Sequence, residues 1–400
     1  MSVSPATTRY EPDVAIPALI GVAALALLLG HEVSGRQAIL LLIGAGLGVS
    51  LFQAAFGFSG GWRRFLRERR SAPIRAQILL AALVSLLFFP LLGGAVSGVS
   101  LHGAYAPVGI SVLAGAFLFG IGMQLGGGCG SGTLFTVGGG QVGMLITLMF
   151  FVIGAVVGSI HLPWWTGLPS FGRISLLDSL GWPLALGLQL LALAALYRLV
   201  TGVERRRFGR CESLVGGREK RPLLQRLVFG PWPVLWGALG LALLSLATLL
   251  VAGHPWSITF AFGLWGTKIW MALGGDISSW SYWSHGYAAT ALGRSVLADA
   301  TSVMDIGIVL GAILAAGLAG RFAPTEIIRM RHVLTAIAGG FLLGYGARLA
   351  FGCNIGGLLA GMVSGSVHGW LWLAAGFSGS IIGVRLRQRF GIDKPLDQPA

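Results

Sequence analysis

A chain of 400 residues that is 55% apolar and only 10% charged has too few polar side chains to coat a water-facing surface; a soluble domain carries roughly 25% charged residues. That excludes a soluble enzyme, a disordered protein and, with only three cysteines, a disulfide-built secreted scaffold. The formal charge of +14 gathers in four clusters between or beyond apolar stretches, Arg63 to Arg75, Arg198 to Arg226, Arg321 to Arg331 and Arg385 to Lys394, a pattern of cytoplasmic loops touching anionic lipid; none carries a nucleic-acid motif, so no nucleic acid is an expected partner.

In chain order, Met1 to Asp13 lack a signal peptide's charged start and cleavage site, so the first apolar stretch reads as the first span. A spanning helix needs about 20 mostly apolar residues. Stretches near 14–30, 37–58, 76–95, 107–127, 142–160 and 183–200 qualify, followed by 231–252, 258–274, 300–320, 332–350 and 367–384. Several are short or interrupted by glycine. The expected fold is therefore all-α and polytopic, with about nine transmembrane helices plus re-entrant half-helices. Between the two groups lies 201–230, basic and charge-mixed, with Cys211 and Gly216-Gly217. It reads as a cytoplasmic linker joining an N-terminal membrane half (1–200) to a C-terminal one (231–400).

The halves resemble each other. A gap-free shift of 224 residues puts Phe117 on Phe341, Gly120 on Gly344, Gly122 on Gly346, Gly128 on Gly352, Cys129 on Cys353 and Gly132 on Gly356. Glycine and leucine match easily by chance; two of three cysteines coinciding, each after a glycine, is far more specific. The arginines after 367–384 and after 183–200 make both stretches run inward, so 142–160 runs outward, opposite to its counterpart 367–384. An inverted repeat follows. The count of spans closes only if at least one segment is re-entrant.

The chemistry-bearing motifs are Gly126-Gly127-Gly128-Cys129-Gly130-Ser131-Gly132-Thr133 and Ala350-Phe351-Gly352-Cys353-Asn354-Ile355-Gly356-Gly357. Glycine costs a helix up to about 1 kcal/mol relative to alanine, and repays this by permitting irregular backbone. In a bilayer such backbone survives where protein or a water-lined cavity satisfies it, and two broken segments at matching places point to a transport site. A helix starting after each break aims N–H groups and the positive end of its dipole at the site, which suits an anion. Two thiols there offer soft donors to a sulfur atom, with Ser131, Thr133 and Asn354 as polar company. One isolated Gly-Cys pair is best read as packing; two related pairs favour function. Metal ligation is not expected, because neither cysteine has a second Cys or His at ligand spacing. His368 is the nearest His to Cys353, and nothing in the sequence ties the two together.

Arg348 lies five residues before Cys353, where the first half has Gln124. It either attracts an anionic substrate or neutralises Asp299 or Asp305. Lys268 and Asp276 are expected to pair structurally. Pro163-Trp164-Trp165 reads as an outer aromatic belt, and His285 as interfacial.

On its paired Gly-Cys motifs the duplicated chain resembles the YeeE/YedE family of bacterial inner-membrane proteins, the sulphur-transport domain family, from about residue 37 to 389. The resemblance implies uptake of thiosulfate, passed along cysteine thiols at a narrow waist, with Cys129 and Cys353 as two of the relay thiols. Family members can carry a further cysteine in an earlier membrane loop. Here Ser59, in Phe56-Gly57-Phe58-Ser59-Gly60-Gly61, is the nearest counterpart. The resemblance also implies a cytoplasmic TusA-type or rhodanese-like sulfur-carrier partner, and leaves selenium oxyanions and sulfide-like species open as substrates.

The expectation is thus an inner-membrane permease, not an enzyme, with its C-terminus in the cytoplasm. It has no cofactor, and no Walker-type Gly-Lys-Ser/Thr occurs. Cys129 and Cys353 form its selectivity waist; Gly128, Gly130 and Gly352 with Ser131, Asn354 and Ser59 bind oxygens, and Arg348 attracts charge. The competing classes are a sulfurtransferase-like membrane enzyme carrying a cysteine persulfide and a structural subunit of a larger complex.

Overall fold

The computed structural model describes residues 10–94, 100–216, 222–324 and 329–393. Met1 to Arg9, Ala95, residues 217–221 of the linker, 325–328 of the third basic cluster and Lys394 lie outside the described residues. Within them the protein is helical, apart from one antiparallel pair, Pro107–Gly109 with Ser170–Arg173. Ten helical stretches among the described residues are long and apolar enough to cross a membrane. The protein is an all-α polytopic membrane protein.

The first half runs α1 (Pro12–Glu32), α2 (Gly35–Gln53), α3 (Phe58–Glu68), α4 (Ala72–Leu92), α5 (Ile110–Leu125), α6 (Gly130–Gly138), α7 (Gly143–Thr166) and α8 (Trp182–Phe208). The second runs α9 (Val234–Ala252), α10 (Thr259–Ala272), α11 (Ala300–Leu318), α12 (Met330–Leu349), α13 and α14 (Val367–Arg389). Here α13 is a π-helical turn, Asn354–Leu359, continuing as Ala360–Val363.

Local chemistry sets these boundaries. Ser34 and Asp299 cap α2 and α11 by accepting the Gln37 and Ser302 amides, satisfying donors that a helix start leaves open. At the end of α8, Arg205, Arg206 and Arg207 oppose the negative end of the dipole, and Gly209 closes the helix with φ 71°.

Between these helices apolar surface gives little net attraction in lipid, so association depends on close packing. The tightest pairs are α2 with α11, α7 with α12, and α5 with α14. In each, glycine lets backbone approach backbone: a Cβ at Gly48 or Gly344 would collide with the carbonyl of Ile308 or Phe151. The first helix lies on α11 and α2, and α8 lies on α4.

The described residues of all four basic clusters share one end of the molecule. Arg64 pairs with Glu212 at 3.0 Å, Arg67 with Asp393 at 3.2 Å, and Arg70 with Glu204 at 3.4 Å. Arg321 donates to Gln53 Oε1, and the Ala323 amide to the Gly139 carbonyl. The opposite end is made by other contacts: Arg36 on the Val251 and Ala252 carbonyls, His102 on Gly253, and Ala104 on Ser364. Trp164 is exposed near the far end of α7, while Trp165 donates to the Tyr345 hydroxyl.

The expected Lys268–Asp276 pair does not form. Lys268 caps the end of the short helix Gly286–Gly293 by donating to the Leu292 and Arg294 carbonyls, where the helix dipole favours a cation. Asp276 instead closes its own turn on Ser278.

Candidate functional site

Four of the helices start inside the molecule. From its start at Phe58, α3 runs to the basic end, where Arg64 and Arg67 are paired; α6 runs the same way from Gly130 to Gly138. In the opposite direction, α10 leaves from Thr259, and α13 from Asn354 to the Ser364–Ser366 turn that meets Ala104 and Ile174. Their N-termini converge. A Cβ placed on Gly130 would lie 3.0 Å from Cys353 Sγ and 3.4 Å from Ile258 Cγ2; one on Gly132 would lie 4.0 Å from Ser59 Oγ; one on Gly356 would lie 3.0 Å from Ser257 Oγ.

The backbone breaks that make this possible are at Ala55 (φ 46°), Gly127 (φ 84°), Gly253 (φ 76°) and Phe351-Gly352 (φ 58° and 149°). Gly352 is the most constrained, because a side chain there would also collide with the amide of Gly357. Its carbonyl accepts the Trp372 indole N–H at 3.1 Å, which pins the break in place.

Both cysteines are N-caps. Cys129 Sγ accepts the Gly132 amide at 3.4 Å and lies 3.5 Å from Ser131 Oγ; Cys353 Sγ accepts the Ile355 amide at 3.4 Å. N–H groups at these helix starts carry partial positive charge, which favours an anion placed against the neutral thiols. Neither thiol has any exposed surface, and the same holds for Ser131, Thr133 and Asn354. Thr133 holds the Cys129 carbonyl at 2.8 Å. The side-chain amide of Asn354, fully buried beside Cys353, has no hydrogen-bond partner on either atom.

The structure therefore brings together Cys129, Cys353, Gly130, Ser131, Asn354 and Ser59, with Gly128 and Gly352 one residue behind the sulfurs. Arg348 sits elsewhere. It projects from the end of α12 remote from the basic clusters toward α10, with Nη1 2.6 Å from the Tyr282 hydroxyl and its plane over the Tyr282 and Trp283 rings. It pairs with neither carboxylate: Asp299 caps α11 and accepts from Tyr287, and Asp305 has no partner. Two of the Arg348 donors, Nε and Nη2, are also unpartnered. His368 bonds Ser366 and packs on Gly361, away from Cys353, and His285 lies in an exposed turn against Ser284.

Sequence reasoning separated 231–252 from 258–274, as observed, but did not bring Ser257 and Ile258 to the site. The separation shows in Gly253-His254-Pro255, which cannot continue a helix smoothly. On the basic side, a cleft of about 330 Å³ reaches Gly126 and Gly127 and is lined by Arg329, His332 and Arg387.

The sulphur transport family model matches residues 53–382. The chain is 30% identical over 155 residues to a protein named probable transporter YedE of Salmonella typhimurium, covering 38% of this chain and 37% of that protein. It is 28% identical over 345 residues to a thiosulfate transporter, TsuA, of Spirochaeta thermophila, covering 83% of this chain and 93% of that protein. Against the TsuA of Escherichia coli it is 30% identical over 122 residues. With its broken, glycine-rich helices and a family match spanning most of its length, the chain belongs to the sulphur transport family.

Proposed function

We propose that this protein imports thiosulfate, or a closely related sulfur-containing anion, across the bacterial inner membrane through a waist at Cys129 and Cys353. One observation carries the reading: four helix N-termini, two of them capped by cysteine, point at one buried spot. That arrangement concentrates partial positive charge where an anion must shed its water. Amides near Gly128, Gly130 and Gly352, with Ser131, Asn354 and Ser59, replace hydration around the oxygens. The two S–H groups meet the terminal sulfur, a soft atom that a hydroxyl serves less well. Arg348, on the far side from the basic clusters, draws the anion in from the outer end. The basic end, with its linker and C-terminus, then faces the cytoplasm, where a TusA-type or rhodanese-like carrier would receive the sulfur. The stretches 1–200 and 231–400 act as two inverted copies of one unit, joined by 201–230.

The test is uptake by cells that depend on an external sulfur source. Cys129→Ala and Cys353→Ala each abolish growth on thiosulfate and spare growth on sulfate at equal protein levels. Normal growth of both variants on thiosulfate overturns the waist. A competition series in liposomes with thiosulfate, sulfate, sulfite, sulfide and selenite ranks the substrates. The enzyme alternative requires an accessible thiolate, and both buried thiols count against it. A stable persulfide on either cysteine, seen by mass spectrometry after incubation with thiosulfate, would favour it.

A further inference from the structure

Asp305 is the sixth residue of α11 and is fully buried, and neither of its carboxylate oxygens has a hydrogen-bond partner. Its register places it toward the waist. Ser302, three residues earlier, accepts the Trp265 indole N–H of α10 at 2.9 Å. The carbonyl of Val309, four residues later, abuts Gly138 of α6. Asp305 thus faces the space between two of the converging half-helices, while Gly307 and Gly311 on another face pack against α2. Cys353 and Asp299 are its electrostatic neighbours.

A buried carboxylate normally has a structural task. Asp299 caps a helix, and Asp393 holds Arg387 and Arg67. Asp305 does neither. Gln77, buried in α4, shows what a merely structural polar side chain does: its Oε1 accepts the Trp62 indole at 3.0 Å and its amide donates to the Gly57 carbonyl. An ionised carboxyl without donor or cation is far costlier to bury than the neutral acid. A metal cation would want several oxygen ligands, and among the described residues no group of three His, Cys, Asp or Glu stands together. The cation a lone carboxyl can hold is a proton.

We propose that Asp305 is a proton-carrying site, loaded from the outer side and unloaded to the inner side as an anion passes Cys353, so that uptake is driven by the proton gradient. This rests on the importer reading above. The only bond made and broken is the carboxyl O–H; no electrons are transferred, and one proton travels with each anion. The other charged groups on the helices packed against α11 are Asp13, His31 and Glu32 on α1, Arg36 on α2, Lys268 on α10 and Arg226 on the short helix Leu223–Phe229. The first three are exposed, and the last three are held by backbone carbonyls. The α6 segment brings no ionisable side chain besides its cap, Cys129.

The experiment uses the full-length protein in liposomes, with the membrane potential clamped at zero by valinomycin and equal potassium on both sides. For one coupled proton, thiosulfate accumulation rises about tenfold per pH unit of gradient, acid outside, and a protonophore removes the rise. A trapped pH dye reports the accompanying acidification. In Asp305→Asn the ratio of accumulation with and without the gradient falls to about one; Asp305→Glu restores a ratio above one. Wild-type uptake that ignores the gradient, or an Asn variant that keeps the tenfold response, overturns the proposal. If Asp305→Asn does not fold, dicyclohexylcarbodiimide, which attacks carboxyls in apolar settings, takes its place. Loss of the gradient response in step with labelling of Asp305 supports the site; labelling with the response intact, or no labelling, overturns it. Failure of wild-type protein to move thiosulfate under any gradient is a separate result, and sinks the importer reading and this one with it.

Discussion

The two cysteine breaks share a plan and differ in charge. Five residues before Cys129 stands Gln124, fully buried, its amide on the Ser59 carbonyl at 3.3 Å and its own carbonyl held by Arg387 at 2.6 Å. Five residues before Cys353 stands Arg348, stacked on aromatic rings with two donors unengaged. Each break has an arginine near it, but the two are differently committed. Arg387 is clamped twice by Asp393, at 2.9 Å through both Nε and Nη2, whereas no carboxylate touches Arg348. One break therefore has beside it a cation with spare hydrogen bonds, and the other has one already neutralised. In the importer proposed above, an anion would gain more on arriving past Arg348 than it must surrender on leaving past Arg387.

The largest test of that comparison is to close the gap between the breaks. Gly130→Val puts branched carbon against Cys353 Sγ, and overpacking at a site with no free space costs roughly 1–3 kcal/mol. Thiosulfate uptake in liposomes falls by more than about a hundredfold while the protein elutes as a single species; retained uptake places the path elsewhere. Next is Arg348→Gln, which gives the second break the side chain of the first. It raises KM about tenfold, equivalent to about 1.4 kcal/mol of lost anion binding, leaves kcat within about threefold, and flattens the salt dependence of uptake. An unchanged KM would make Arg348 a packing residue.

The smallest effect sharpens the comparison from the basic end. Burial alone would raise the Asp393 carboxyl, but the hydrogen bond from Arg387 and the charges of Arg387, Arg63 and Arg67 hold it below the ordinary carboxylate range. A lowered folded value means that Asp393 stabilises the protein above about pH 4, where the unfolded carboxyl is also ionised, and that this contribution fades as the pH falls through the lowered value. Asp393→Asn accordingly lowers Tm by about 2 °C at pH 7, and the difference closes in scans below pH 4. A gap that persists in acid would assign the loss to packing.

Much of this was legible in the residues. The paired Gly-Cys stretches stood out because glycine density is costly in a helix, and the basic clusters marked one end because long charged side chains cannot stay in hydrocarbon. The half-helices α3 and α10 were less visible. The apolar run 37–58 reads through the break at Ala54 to Gly57, because alanine and phenylalanine satisfy a hydropathy pattern whatever their dihedrals; the 258–274 run shows its start, at Thr259 in the structure, but not that it begins inside the molecule. Asp305 was legible as an intramembrane charge, but a sequence does not say whether a carboxylate finds a partner. Arg348 shows the converse: its aromatic cradle comes from Tyr282 and Trp283, more than sixty residues away.

The absence of exposed surface on Cys129, Ser131, Cys353 and Asn354 has a consequence for the cell as well as for the cargo. In the importer proposed above, a waist sealed this tightly would leave water no file of contacts to follow and would insulate between transport events. A cell could then keep many copies of such a carrier without short-circuiting the gradients on which its energy supply depends.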